Sequence, residues 1–347
     1  MVNHVGARHV RLTVITSKKH LSFRRPLYMH LKVYFILLNI QSHRENDSLI
    51  FLVLVCSMAG VAFVTIPSPD HINAVSKNVS SSNNNNTVTN ATIATNNLIT
   101  NILAKNLENH LLKAGAILNV TSKLPQVRNI SSANLLNQTL KTLHGIPKDA
   151  DIQKRQVAQN ILSNYRDFQV IFFNMPNGDI YFDEPYSRQQ MLTTTNFAFR
   201  DYFQGAVRIH DIYLVNPYIS ASSGQLQSAI AVPIYSLKDN STLIGVWAGG
   251  LDFGVLSKEL QSLNLTADGK RVVYVGHNGQ KIADSDVIKS KISESFANLN
   301  SFKNAINGQS GSVLDTIDNT KILVTYEPVN AFHNTWVVLL MQPLAQK

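Results

Sequence analysis

The stretch 196–211, which reads NFAFRDYFQGAVRIHD, sets one arginine among aromatic side chains. Arg200 has Asp201 beside it, and Tyr202 and Phe203 follow within three residues. A guanidinium presents a planar set of donors that fits a carboxylate with two parallel hydrogen bonds, and aromatic walls exclude water from such a pair. The stretch therefore predicts one of two things. It is either one wall of a pocket for a charged small molecule or an amphipathic helix with a surface arginine paired to a neighbouring aspartate.

Common catalytic motifs are absent from the sequence. There is no HExxH, no GxSxG, no phosphate-binding P-loop and no zinc-finger spacing. Five of the eleven histidines lie within the first 48 residues, and the other six are scattered along the chain. We therefore expect a protein that is not an enzyme and that holds no cofactor or metal.

The net charge of +9 is concentrated at the N-terminus. Residues 1–48 contain eight Lys and Arg side chains against one Glu and one Asp, which leaves +3 for the rest of the chain. Because the charge belongs to this tail, we do not expect nucleic acid as a partner. The basic side chains suit anionic membrane lipid better.

An uncharged apolar segment, LIFLVLVCSMAGVAFVTI, follows the tail at residues 49–66. A helix of that length spans roughly 27 Å, close to the thickness of a bilayer core. The excess of basic residues before it predicts a cytoplasmic tail (1–48), a transmembrane helix (49–66) and an extracellular remainder. The alternative is a cleaved signal peptide, although the apolar run is longer than is usual for one. We therefore expect a single-pass protein of the cell membrane that contacts lipid through this helix.

Residues 67–96 are rich in Asn, Ser and Thr and nearly uncharged, which predicts a linker. Asn-x-Ser/Thr sequons occur here and later in the chain, so glycosylation of an external domain is expected, with chance occurrence in Asn-rich sequence as the alternative. The single cysteine, Cys56, lies in the apolar segment, so no disulfide can form within the chain.

Helical periodicity covers 97–123 and, less strongly, 150–166, so we expect a helical stalk over 97–166. The period then changes to that of strands. We predict a hairpin over 168–185 that turns at Asn177-Gly178, followed by strands and by a helix over 254–263. This mixture indicates an α+β fold with mainly antiparallel sheets.

The strand pattern occurs twice. The segment VVYVGHNGQKIADSD (272–286) aligns with VIFFNMPNGDIYFDE (170–184) on their Asn-Gly pairs. Further along, 325–344 resembles 231–252, because each reads as strand, proline, loop and strand. Two copies about 100 residues apart predict two similar modules in tandem.

Tandem modules after a helical stalk and a membrane anchor resemble the double Cache sensor domain, which forms the extracytoplasmic part of many chemoreceptors and sensor histidine kinases. The most specific stretches are FRDYFQGAV (199–207), VNPYISASSGQLQSAIAVPIY (215–235) and GVWAGGLDFGVLSKEL (245–260). The resemblance implies a long N-terminal helix and two PAS-like modules. The first, over 167–263, would be membrane-distal, and the second, over 264–347, would be membrane-proximal.

The resemblance also assigns the residues of the opening stretch. In family members that bind amino acids, an arginine on this helix holds the ligand carboxylate, and Arg200 occupies its position. Two aromatic residues follow that arginine, and here they are Tyr202 and Phe203. The alternatives are a surface arginine and aromatic side chains that belong to the core.

The family's Tyr-x-Asp pair and a later Asp hold the ligand ammonium group. Tyr218 matches the tyrosine of the pair, Ser220 stands where the pair has Asp, and Asp252 matches the later Asp. Because Ser220 brings no charge, a carboxylate-bearing ligand or another small polar molecule fits at least as well as an α-amino acid. Tyr218 could instead only pack, and Asp252 could instead cap the helix that starts near Gly254.

We therefore expect a membrane-anchored extracellular sensor that binds a small polar or carboxylate-bearing ligand in its first module. No signalling module follows in the sequence, so the expected output runs through a partner protein or through a module missing from the chain. The alternative is a surface-tethered solute-binding or adhesion protein without signalling output.

Overall fold

A computed structural model describes residues 35–38, 52–57, 60–61, 89–239 and 241–344. The chain divides into two compact units, residues 1–82 and 83–347. The described residues of the first unit form three antiparallel strands in the spatial order β1-β2-β3, and these strands are β1 (Phe35–Leu38), β2 (Leu52–Ser57) and β3 (Gly60–Val61).

The transmembrane helix expected over 49–66 is not confirmed, because strands β2 and β3 occupy part of this segment. An apolar run rich in Leu and Val lacks the periodicity that separates a buried strand from a helix, so its length alone had favoured the helix. The rest of the segment and most of the basic tail lie outside the described residues, as does the linker up to residue 88. Among the described residues, no helix combines the length and the apolar character that crossing a bilayer requires.

The second unit opens with a 33-residue helix, α1 (Asn90–Ser122). It begins inside the segment expected to be a linker, because the hydroxyl of Thr89 accepts a hydrogen bond from the Thr92 amide at 3.2 Å and caps the first turn. The helix then buries a stripe of leucines, including Leu107 and Leu111. Local capping and this stripe together extend the helix seven residues upstream of the predicted start at 97.

Three helices and the first sheet follow α1. The helices are α2 (Pro125–Arg128), α3 (Ala133–Leu143) and α4 (Ile152–Asn164). The sheet has the order β5-β4-β10-β9-β6, and its strands are β4 (Phe168–Asn174), β5 (Ile180–Glu184), β6 (Tyr213–Leu214), β9 (Ala229–Tyr235) and β10 (Leu243–Leu251). Between the strands lie the helices α5 (Tyr186–Gln190) and α6 (Asp201–Ile209), and a separate hairpin of β7 (Tyr218–Ile219) and β8 (Leu226–Gln227).

The second sheet repeats the first. Helix α7 (Phe253–Ser262) and a 3-10 helix (Leu265–Asp268) lead into it. Its order is β12-β11-β15-β14-β13, and its strands are β11 (Arg271–Val275), β12 (Lys281–Asp284), β13 (Gly311–Ile317), β14 (Thr320–Ala331) and β15 (Asn334–Pro343). A 3-10 helix (Lys289–Lys291) and α8 (Asn300–Ile306) lie between β12 and β13. The α+β class and the antiparallel sheets match the prediction.

The predicted repeat extends to the geometry of its turns. Gly178 and Gly279 both have positive φ, +86° and +81°, and each amide closes a turn at 2.8 Å. A Cβ on either glycine would lie 2.5 Å from the Cβ of an alanine, Ala198 or Ala297. Glycine is therefore required at both positions by conformation and by space.

Helix α1 packs against both sheets in one continuous apolar core. Trp247 of the first sheet donates to the hydroxyl of Thr121 at 3.1 Å. At the tip of the β14–β15 hairpin, the Phe332 ring lies where a Cβ on Gly115 would be, 2.1 Å from its Cζ. The Phe332 carbonyl also accepts from the Leu214 amide at 3.2 Å. The hairpin of the second module thus lies against both α1 and the edge strand of the first.

A histidine clamp joins α1 to the first module. His110 Nδ1 lies 2.8 Å from Asp167 Oδ1, and its Nε2 lies 2.9 Å from Glu259 Oε2 on α7. The hydrogen bond to Asp167 raises the pKa of His110 above 6.5, against an opposing effect of burial and of Lys113. The same bond lowers the pKa of Asp167.

We expect His110 to make stability fall as the pH rises above neutrality. The protonated ring donates to both carboxylates only in the folded state, so its contribution is complete below pH 6.5 and is lost above the raised pKa. Hydrogen bonds to charged groups contribute about 1.5–3 kcal/mol. The difference in unfolding free energy between wild type and His110→Gln, from urea denaturation, should shrink by about that amount between pH 5.5 and 8.5. A constant difference would contradict the clamp, and His277→Gln, at an exposed site, serves as control.

Candidate ligand site in the first module

Strands β4 and β5, helix α6 and the β7–β8 hairpin line a partly open cavity of about 30 Å³. That volume holds roughly two water molecules. The polar and charged side chains that line it are those of Asp183, Arg200, Tyr202, Tyr218, Ser220, Ser222 and Gln227. The structure thus brings together four of the six predicted site residues, namely Arg200, Tyr202, Tyr218 and Ser220.

Arg200 lies directly before α6, and its guanidinium is held from two sides. The Phe199 and Tyr218 rings lie 5.2 and 5.1 Å from its central carbon. Its Nη2 donates to the Ile219 carbonyl at 3.3 Å, while its buried Nε has no hydrogen-bond acceptor among the described residues. A buried donor without a partner is costly, and a ligand anion in the cavity would satisfy it.

The neighbouring aspartates bond elsewhere, which argues against a surface arginine. Asp201 accepts from the Tyr213 hydroxyl at 3.2 Å. Asp211 lies 3.6 Å from His333 Nε2. Arg200 therefore belongs to the cavity.

Tyr202 and Tyr218 form an aromatic wall. The Tyr202 ring packs edge-on against Phe172 at 5.1 Å and lies 6.1 Å from Tyr218. Burial raises the pKa of the Tyr218 hydroxyl to about 12 and that of Tyr202 well above 10. Both hydroxyls stay protonated at neutral pH and can donate to a ligand. The Tyr218 hydroxyl already accepts from Gln227 at 3.0 Å.

The β7–β8 hairpin contributes two serine hydroxyl groups to the lining of the cavity. Ser220 and Ser222 are buried, and their oxygens lie 3.4 Å apart. The Ser220 amide donates to the Gln225 carbonyl at 2.9 Å, and its carbonyl accepts from the Gly224 amide. These short bonds shape the hairpin so that both hydroxyls lie at the cavity.

Two predicted site residues lie outside the lining of the cavity. Phe203 packs into the apolar core beneath α6. Asp252 caps α7 and accepts from the Gly254 amide at 2.8 Å. The structure therefore shows Asp252 in the alternative role that the sequence allowed, as the cap of α7. A residue adjacent to a helix start is more easily satisfied by that helix than by a distant cavity.

The acidic residue at the cavity is Asp183, which sequence reasoning missed. It is 4% exposed and lies on β5. Burial raises its pKa to about 7, against the lowering effect of Arg188 and Arg155. Its signal in the sequence is an acid within IYFDE, a strand buried along its whole length.

The internal repeat shows what is unusual about Asp183. Counted from the Asn-Gly pairs, its counterpart in the second module is Asp284, and the two pair equivalently with β4 and β11. Asp284 accepts from Arg271 at 2.5 Å and from Lys281 at 3.0 Å. The first module has Val170 and Ile180 at the positions of those two cations. Asp183 thus lacks the ion pairs of its counterpart and lines a cavity instead.

Comparison with known proteins identifies the family. The family model described as Cache domain matches residues 74–346. The chain belongs to the Cache domain family. None of the curated proteins matches it. The two modules are accordingly Cache modules.

Several solved structures resemble this chain. The extracellular domain of rpHK1S-Z16, described as a histidine kinase, is 13% identical with a TM-score of 0.54, over 72% of this chain and 93% of that one. The periplasmic sensory domain of the Campylobacter jejuni chemoreceptor Tlp1 is 15% identical with a TM-score of 0.52, over 73% and 95%. The Pseudomonas aeruginosa PctC ligand-binding domain, solved with GABA, is 19% identical with a TM-score of 0.48, over 71% and 99%. At these identities the likeness concerns the fold alone.

Proposed function

We propose that this chain is an extracellular sensor that binds a small carboxylate-bearing molecule in the cavity of its first Cache module. The observation that carries the proposal is the unpartnered, buried Nε of Arg200 at a cavity walled by Tyr202 and Tyr218. The ligand carboxylate binds Arg200 through charge-assisted hydrogen bonds. The hydroxyls of Tyr218 and Ser220 add neutral hydrogen bonds.

Asp183 gives the same cavity a negative pole. A ligand that also carries an ammonium group replaces the water around this carboxylate and holds it ionised at neutral pH. Ser220 brings no charge, so Asp183 supplies the counter-charge that the sequence comparison did not find. The proposed ligand is therefore a small zwitterion, with a simple carboxylate as the less complete fit.

Ligand entry requires the β7–β8 hairpin to move. The present cavity of about 30 Å³ has room for roughly two water molecules, which is less than an amino acid needs. The hairpin contacts Arg200 through the Ile219 carbonyl at 3.3 Å, so an anion at Arg200 competes with this bond. Binding thus favours a hairpin position that differs from the one described here.

The topology belongs to the same proposal. The apolar segment 49–66 anchors the chain, the basic tail faces cytoplasmic lipid, and the Cache modules lie outside the cell, where the sequons are accessible to glycosylation. The segment's composition and the excess of basic residues on one side support this arrangement. The output passes to a signalling partner protein.

The test is a thermal-shift screen of the full chain in lipid nanodiscs against amino acids, simple carboxylates and amines. A ligand at 100 times its Kd adds about 2.7 kcal/mol to the stability of the folded state, which is easily detected. We expect Arg200→Ala to weaken binding of every amino-acid hit about tenfold or more, since it removes a charge-assisted hydrogen bond. Asp183→Asn should weaken only the hits that carry an ammonium group.

The matched control is Arg208→Ala, an exposed arginine in the last turn of the same helix. Amino-acid hits that survive Arg200→Ala would place the amino-acid site elsewhere. A folded chain without any hit would favour an adhesion protein.

A further inference from the structure

A second, larger cavity lies between the two Cache modules. Its volume is about 740 Å³, within the range of 300–1,000 Å³ common for small-molecule sites. The β7–β8 hairpin of the first module forms one wall and helix α7 forms another. Strand β12 and the loop 290–293 of the second module form the third.

The charge of this cleft is one-sided. Its lining residues include Lys258, Lys281 and Lys291 and no acidic residue. Lys281 is already neutralised, with its Nζ 3.0 Å from Asp284 and 2.6 Å from Glu294. Lys258 and Lys291 are exposed, and neither forms an ion pair within the described part of the chain. The cleft therefore offers two cations from opposite modules.

The remaining walls are apolar or neutral. Ile219 and Ile292 are more than half exposed, although both are large aliphatic side chains. Phe253 and Leu226 add further apolar surface, and serine hydroxyls lie between them. Exposed apolar surface beside unpaired cations fits an anion with an apolar body.

The cleft is held in shape by bonds between the modules. Asn278 of the second module donates to the Pro217 carbonyl at 3.4 Å. A Cβ on Gly276 would lie 2.5 Å from the Pro217 ring, so the two backbones approach closely there. The walls are thus set by packing and not by the long lysine side chains.

We propose that this cleft is a second ligand site, for a small organic anion with an apolar body held between Lys258 and Lys291. The site is distinct from the cavity of the first module but shares a wall with it. Tyr218 lines both, and the Ile219 carbonyl binds Arg200 at 3.3 Å. An anion in the cleft contacts the hairpin that must move for the first cavity to open, so the two sites are coupled.

The test uses benzoate as the probe and benzamide as its uncharged analogue, with the full chain in lipid nanodiscs and isothermal titration. Benzoate should bind the wild type, and benzamide should bind about three- to tenfold more weakly, since it loses both exposed ion pairs. The double variant Lys258→Gln/Lys291→Gln should bind benzoate about three- to tenfold more weakly, the sum of two exposed ion pairs. The control Lys123→Gln/Lys141→Gln removes the same charge from two exposed positions, one directly after α1 and one on α3, and should bind as the wild type does.

One further variant locates the probe. Ser257→Trp fills the cleft from α7 and should abolish binding, with circular dichroism to check folding. Benzoate binding that is retained both in this variant and in the double lysine variant would overturn the proposal, as would the absence of benzoate binding to the wild type.

Discussion

Replacing Asp284 by alanine is expected to lower the free energy of unfolding by about 3–5 kcal/mol, because it removes the buried carboxylate that pairs with two cations. Asp284 is fully buried and accepts from Arg271 at 2.5 Å and from Lys281 at 3.0 Å. In the variant, both cations would share the single carboxylate of Glu294. Guanidinium denaturation measures the change, with Asp149→Ala at an exposed position as control. A loss below 1 kcal/mol would show that Glu294 alone can neutralise both cations.

Asp183 occupies the equivalent position of the first module. Replacing it by asparagine is expected to raise the free energy of unfolding at alkaline pH. Burial raises the pKa of this carboxyl to about 7, so its favourable contribution is present below pH 4 and is lost as the pH rises through 7. The neutral amide removes the cost of a buried charge. We expect a gain of about 1–3 kcal/mol at pH 8 and almost none at pH 4. Lower stability of Asp183→Asn at pH 8 would refute the assignment of an unpaired carboxylate.

Arg155→Ala is also expected to lower the free energy of unfolding by about 3–5 kcal/mol, because it removes a buried cation from its carboxylate. The side chain is 2% exposed on α4, and its guanidinium donates to Glu184 at 2.7 Å, to Gln189 at 3.0 Å and to the Ile146 carbonyl at 3.1 Å. The variant buries Glu184 unpaired and leaves several acceptors without a donor.

Arg155→Lys separates charge from geometry. A single ammonium keeps the charge but cannot reach three acceptors at once, so we expect about half of the loss seen with alanine. The same denaturation experiment measures both, with Arg166→Ala, at an exposed site, as control. Lysine that restored full stability would show that only the charge matters at this position.

Much of the second unit could be predicted because its patterns are local. The hairpin turns at Gly178 and Gly279 followed from Asn-Gly pairs within strand-like sequence, and the repeat followed from aligning them. Helix α7 was placed within one residue of its observed start. The start of α1 was missed because a threonine cap in a Thr-rich and Asn-rich segment resembles its neighbours.

The candidate site could be predicted only in part, because its residues come from separate elements. Arg200, Tyr202, Tyr218 and Ser220 lie on two neighbouring stretches, and resemblance to a family brought them together. Asp183 could not be placed from sequence, because an acid in a strand ordinarily faces water and only the packing of β5 buries it. The sequence left Asp252 either as a ligand-binding residue or as a helix cap, because residue order does not show whether a carboxylate accepts from its own helix.

The insertion of Phe332 at Gly115 limits how the two modules can be recombined. The hairpin tip, the middle of α1 and strand β6 fit one another, since the Phe332 ring lies on α1 and its carbonyl binds the Leu214 amide. A chimera that takes one module from a relative must therefore carry all three pieces as a set. Exchanging either module for one that lacks this glycine or this phenylalanine would set a side chain against the Phe332 ring or leave a hole beside α1, even where both partners fold well in their own chains.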